Sequence, residues 1–176
     1  MNYVIADNYL CLFALLEMIL KQNNVNISQY ELAEKAGITV PDGYKTEIKN
    51  VKYSSIQNDY GVAISTSLLQ EIFDEVSVDI HVSYLDGLHT DEVGLTSVLR
   101  KRLAEGQYVI LTFSYGVLYN KEQYADLGHA SLLKKVLDED WIQIYDPGPD
   151  SPGIKDVRIS DMYEAMRKKG GAYFLD

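Results

Sequence analysis

The stretch GHASLLKKVLDEDWIQIYDPG, residues 128–148, decides how the second half of this chain folds. It holds two runs of apolar and β-branched residues, HASLLKKVL and WIQIYD, separated by the acidic turn 138–140. This pattern predicts a β-hairpin. His129 opens the first strand and Asp146 closes the second. Because hairpin strands run side by side, the two side chains are predicted to come within reach of each other.

A histidine and an acid in this arrangement have a chemical use. A carboxylate that binds one ring nitrogen holds an imidazole in one tautomer and stabilises its protonated form. The alternative for Asp146 is a plain turn residue before Pro147. The other histidines are expected to be exposed, His81 on the polar face of a strand and His89 in a loop.

The only cysteine lies far upstream, in DNYLCLFALLEMILKQ, residues 7–22. Apolar residues at helical spacing predict a helix that begins near Leu10, with Asp7 or Asn8 as its N-cap. Cys11 would then lie in the first turn, where the helix dipole stabilises a thiolate. Nucleophilic attack on a carbonyl also needs a base and donors for the oxyanion. The alternative is a cysteine that only fills the core.

The remaining segments predict further helices, followed by strands. A capping box at Ser28 starts the second helix, and Thr90 and Ser160 are the expected caps of two later ones. Residues 38–64 are expected to be a long excursion with a short strand or two. The predicted helices are 28–37, 65–76, 90–106 and 159–171, and the further strands are 76–85, 108–116 and 172–176.

This order predicts an α+β fold with the two element types segregated. The length of 176 residues predicts a single domain, 1–176, with a helical half at about 1–75 and a sheet-rich half at about 76–176.

Composition limits the classes of function. With 16 basic and 26 acidic residues the net charge is −10, which argues against binding to nucleic acid or to an anionic membrane. A lone cysteine forms no internal disulfide, and residues 1–20 lack a signal-peptide pattern. The apolar run 9–20 is too short to cross a bilayer. We therefore expect a cytoplasmic protein without membrane insertion. The spacing of histidines and cysteine predicts no metal site, and no glycine-rich phosphate loop points to a cofactor.

An early helix with a cysteine, a later strand opening with Gly-His, and a hairpin ending in Asp-Pro resemble the layout of papain-like cysteine peptidases. The likeness is closest to the bacteriocin-processing (double-glycine leader) peptidases and their free-standing relatives. It implies a papain-like fold in which N-terminal helices bearing the cysteine pack on a C-terminal antiparallel sheet. The matching stretches are residues 11–38, 95–116 and 128–148.

The resemblance implies a chemical role for each matching residue. Cys11 would be the nucleophile, His129 the general base and acid, and Asp146 the group that orients the imidazole. The protein would then be a thiol hydrolase that cleaves a peptide or amide bond through a thioester. Its substrate would be a peptide or an acyl-amide. A leader peptide or a carrier protein would be its more specific partner.

Two positions depart from the pattern of that family. The glutamine expected six residues before the cysteine, an oxyanion donor, is Ile5, and the glycine expected after it is Leu12. Asn8, with the backbone N–H of Cys11, is the candidate donor in its place.

Two alternatives stay open. One is an acyltransferase of the butirosin type on the same triad, and the other is a degenerate papain-like domain that binds a peptide or partner. The loop 115–127 and the segment 150–153 are candidate walls of a substrate groove.

Overall fold

The computed structural model describes residues 3–176, which contain six helices and eight strands. The helices, α1 to α6, are Cys11–Gln22, Gln29–Ala36, Thr66–Glu75, Glu92–Ala104, Tyr115–Leu118 and Ile159–Lys168. The strands, β1 to β8, are Ile38–Pro41, Val51–Ser54, Val82–Asp86, Tyr108–Ser114, Gly128–Val136, Trp141–Asp146, Gly153–Arg158 and Gly171–Leu175. Two short 3₁₀ turns lie at Gln57–Asp59 and Glu122–Tyr124.

Six of the strands form one antiparallel sheet in the order β3-β8-β4-β5-β6-β7. The predicted hairpin is its β5–β6 pair. The last strand, β8, lies between β3 and β4, so the end of the chain is in the interior of the sheet. The excursion at 38–64 contributes β1 and β2, which pair in parallel as a separate small sheet.

Helices cover both faces of the large sheet. α1, α2 and α3 pack on one face, and α4 and α6 pack on the other. Alternate residues of β4 supply the two cores, with Ile110 in the first and Val109, Leu111 and Phe113 in the second. Burial on both faces explains why the sequence of this strand is almost continuously apolar. The predicted α+β arrangement, with the cysteine-bearing helix packed on the antiparallel sheet, is confirmed.

The start of α1 differs from the prediction. Neither Asp7 nor Asn8 caps the helix, because its N-cap residue is Leu10, which makes no side-chain cap hydrogen bond. A turn in which the Leu10 N–H donates to the Asp7 carbonyl carries the chain past the predicted caps. The N-terminal amides of α1 are therefore left without a side-chain cap.

The other predicted caps have mixed outcomes. The capping box at Ser28 is confirmed. Thr90 is wrong, because Asp91 is the N-cap of α4 and accepts from the N–H of the third helical residue. Ser160 is also wrong, because α6 follows β7 directly with Arg158 at its N-cap, which places Ser160 inside the first turn.

Two strand predictions need correction. The strand expected over 76–85 begins only at Val82, because Val76 ends α3 and the Val78 N–H still donates to the Phe73 carbonyl. The prediction left out β7, which pairs with β6 and completes the sheet. Within residues 3–176 no helix is both long and apolar enough to cross a membrane.

Candidate active site

The sheet brings His129 and Asp146 together where β5 begins and β6 ends. The β5–β6 register pairs Leu132 with Tyr145, and its extension makes His129 a diagonal neighbour of Asp146. The His129 Nε2 and an Asp146 carboxylate oxygen are 2.8 Å apart. The aromatic rings of Phe113 and Tyr115 flank the imidazole edge-on, at centroid distances of 5.5 and 5.3 Å. The ring is therefore fixed in position as well as in hydrogen bonding.

Cys11 reaches this pair from the opposite side, on the first residue of α1. The sulfur lies within range of the charge and hydrogen bonding of the His129 imidazole, and because Nε2 is bound to Asp146, Nδ1 is the nitrogen that faces it. The backbone N–H groups of Leu12 and Ala130 also favour the charged form of the sulfur. The thiol is half-buried. Three residues that are remote in sequence thus form one connected array.

The charges in this array favour an ion pair. Burial raises the pKa of the Cys11 thiol. The His129 imidazolium and the backbone donors lower this pKa by more than burial raises it, so the pKa lies below its ordinary value. Burial lowers the pKa of His129, whereas the Cys11 thiolate and Asp146 raise it, to about 9. Both shifts favour a thiolate facing an imidazolium, which is the reactive form of a cysteine nucleophile.

Asp146 is 2% exposed and accepts four hydrogen bonds. One oxygen accepts from His129 and from the Gly148 N–H at 2.9 Å. The other accepts from the Tyr119 hydroxyl and from the Lys155 ammonium, which is 2.8 Å away. Burial raises the pKa of Asp146, but His129, Lys155 and Tyr119 outweigh it and hold the pKa well below its usual range. The carboxylate is ionised and has a fixed orientation.

Sequence reasoning did not identify Tyr119 or Lys155. A signal for Lys155 was present in the sequence. The segment DPGPDSPG, which begins at Asp146, is typical of a turn, and the Ile-Lys-Asp-Val that follows alternates as a strand does. In the observed register Lys155 pairs with Ile144, which makes it a diagonal neighbour of Asp146. Tyr119 follows the four-residue helix α5, and no local pattern indicates which way that turn faces.

The region of the expected oxyanion donor is built differently from the family pattern. Ile5 is 61% exposed, and its backbone carbonyl accepts from the side-chain amide of Gln29. The same Gln29 side chain accepts from the Asp7 N–H at 3.1 Å, so it holds both sides of the segment that leads to α1. Asn8 lies between these anchors and Cys11. Its side chain is exposed and lines a cleft that also contains Cys11 and His129. An amide side chain therefore lines the same cleft as the thiol, which lies on the first residue of α1.

A cleft of about 1140 Å³ contains Asn8, Cys11 and His129 in its wall. Half of the fourteen tyrosines of the chain line it. These are Tyr9, Tyr53, Tyr60, Tyr84, Tyr115, Tyr124 and Tyr173. Residues of the loop 115–127 form part of the wall, as does Asp150, the first residue of the segment 150–153. Such a cleft offers several aromatic side chains to a bound molecule.

Other titratable clusters give no competing site. His81 and His89 are exposed and lie away from this cleft. Across residues 3–176, no group of three or more histidine, cysteine, aspartate or glutamate side chains is placed to hold a metal ion.

Comparison with known proteins adds information on the fold. The sequence matches no protein-family model and no curated protein. The structure is similar to the crystal structure of a candidate C39-like peptidase from Bacillus anthracis, with a TM-score of 0.65. The two sequences are 16% identical, and the match covers 99% of this chain and 94% of the other. The chain thus has the papain-like α+β fold that the sequence predicted.

Proposed function

We propose that this protein is a thiol hydrolase that cleaves a peptide or amide bond through Cys11, His129 and Asp146. One observation carries the proposal, namely the array in which a sulfur, an imidazole and a buried carboxylate meet at the edge of an open cleft. The three residues occur in the order Cys, His, Asp, on a fold shared with a protein described as a candidate C39-like peptidase.

The proposed reaction has two halves. The Cys11 thiolate attacks the carbonyl carbon, and the imidazolium of His129 gives its proton to the departing amine as the C–N bond breaks. This leaves a thioester on Cys11 and a neutral imidazole. The imidazole then takes a proton from water, the hydroxide displaces the sulfur, and the carboxylic acid product leaves. Asp146 keeps Nδ1 directed at the sulfur throughout, because Nε2 is bound to the carboxylate.

Negative charge on the carbonyl oxygen needs donors in both halves. We assign this role to the side-chain amide of Asn8 and the backbone N–H of Cys11. The start of α1 supports the second assignment, since its N-cap residue Leu10 makes no side-chain hydrogen bond to the first turn. The position of Asn8 in the cleft wall supports the first.

The proposed substrate is a peptide or acyl-amide that lies along the cleft, and a leader peptide is the specific form of it that the resemblance suggests. The proposed setting is the cytoplasm, because the reaction needs Cys11 as a free thiol. An acyltransferase uses the same first half and replaces water by an amine. The size of the cleft, about 1140 Å³, leaves room for such a second reactant.

A peptide mixture of broad sequence tests the proposal, with new termini read by mass spectrometry. The native protein, Cys11→Ala and His129→Ala are compared, with His89→Ala as a control that changes an exposed histidine outside the cleft. We expect cleavage by the native protein and by His89→Ala, and none by Cys11→Ala. The rate of cleavage by His129→Ala should be at least about 100-fold lower than that of the native protein. Added amines that appear on the new carboxyl ends in place of water would favour the acyltransferase. Equal cleavage by Cys11→Ala would contradict the proposal. Binding of intact peptides by both the native protein and Cys11→Ala, without turnover, would favour a binding domain.

A further inference from the structure

The Asp146 carboxylate is shared between His129 and a lysine behind it. Lys155 lies on β7, and its Nζ is 2.8 Å from the carboxylate oxygen that His129 does not use. The same Nζ is 3.3 Å from the Tyr119 hydroxyl and 4.4 Å from the centre of the Tyr119 ring. The lysine side chain is only 22% exposed, so water screens this contact weakly.

We propose that Lys155 is a positioning residue of the Cys11–His129–Asp146 site, whose ammonium group fixes the carboxylate and limits how strongly it stabilises the protonated imidazole. This inference rests on the proposed function. It extends the three-residue array to four groups of alternating charge, from the Cys11 thiolate through His129 and Asp146 to Lys155.

The physical basis is competition for one carboxylate. An imidazolium is stabilised by the negative charge beside it, and a second cation on the same carboxylate withdraws part of that stabilisation. Lys155 thus prevents His129 from holding its proton so strongly that proton transfer to the leaving amine becomes difficult. It does so without touching the imidazole.

The other groups that face His129 do not supply this effect. Cys11 on α1 acts in the opposite direction, because its thiolate raises the pKa of the imidazole. Tyr115 and Tyr119 are neutral phenols, and their pKa values are raised above the ordinary value by burial. The charged groups near Tyr115 are Lys121, 3.1 Å from its hydroxyl oxygen, and Asp150, 3.2 Å from it. Among these charged groups, the Lys155 ammonium is the cation that contacts Asp146 opposite His129.

Lys155→Met tests the proposal, because methionine keeps most of the length of the side chain and removes its charge. We expect the pKa of His129 to rise by about 0.5–1 pH unit, and the alkaline limit of activity to move up with it. We expect kcat at neutral pH to fall about tenfold with little change in KM, since the carboxylate loses one of its anchors. Lys155→Arg should restore the alkaline limit. Tyr119→Phe removes a donor without a charge, so its effect on the pKa should be smaller.

Lys135→Met is the matched control, because Lys135 is an exposed lysine on β5 and its loss changes the net charge equally. An NMR titration of the His129 imidazole reads the result without any substrate. If Lys155→Met leaves or lowers the pKa of His129, or if Lys135→Met raises it equally, the proposal is overturned. Lack of turnover in the native protein would count against the proposed hydrolase, while the NMR comparison would still decide the role of Lys155.

Discussion

Replacement of Cys11 by alanine gives the sharpest test of the thiolate–imidazolium pair. In the native protein the pKa of His129 is raised from 6.5 to about 9, against the opposing effect of burial. A rise of this size corresponds to about 3 kcal/mol in favour of the charged ring. Cys11 is the largest of the contributions that raise the pKa, ahead of Asp146. Since an opposite charge in contact shifts a pKa by about 1–3 pH units, the variant should show a pKa of His129 lower by that amount.

The assay is an NMR titration of the imidazole ring signals, carried out on the native protein and on Cys11→Ala. The exposed His81 and His89 serve as internal controls, and their titration curves should be the same in both proteins. Alkylation of Cys11 by iodoacetamide at neutral pH should be faster than that of an ordinary cysteine, since the pKa of its thiol is lowered. A pKa of His129 that stays near 9 without the sulfur would refute the ion pair. A native pKa at or below 6.5 would refute it as well.

Three further predictions concern the oxyanion site, the carboxylate and the packing behind the cleft. Asn8→Ala should lower kcat by about 100-fold or more. The alkylation rate of Cys11, measured by stopped-flow labelling, should stay unchanged. Equal loss of both rates would contradict a donor role for Asn8. Asp146→Asn should lower the free energy of unfolding at neutral pH by about 3 kcal/mol in urea melts. Because the pKa of Asp146 is lowered in the folded state, its contribution is complete above the ordinary value of 3.8 and is lost as pH falls below it, so the variant should show a flatter acid dependence. Gly170→Ala should destabilise by about 2 kcal/mol or more, since the added carbon would lie 2.0 Å from the Thr112 carbonyl oxygen. Gly106→Ala, also at positive φ but with open space, should cost less, and equal losses in thermal melts would contradict the packing argument.

Local patterns predicted the parts of the fold that neighbouring residues control. The β5–β6 hairpin follows from two apolar runs around an acidic turn, and the second helix follows from its capping box at Ser28. The approach of His129 to Asp146 was predictable for the same reason, because a hairpin fixes which residues lie across from each other. The prediction failed where two neighbouring residues competed, as for Thr90 and Asp91 at the start of α4.

The sequence by itself therefore determined the fold class and the hairpin, and the resemblance suggested the three residues of the candidate site. Only the tertiary structure decided that the sulfur meets the imidazole, and that Tyr119 and Lys155 hold the carboxylate from behind. These contacts join α1, the end of α5 and β7, which lie far apart along the chain. Their geometry depends on strand register and helix docking across a sheet buried on both faces, and such long-range packing leaves no periodic trace in the local sequence.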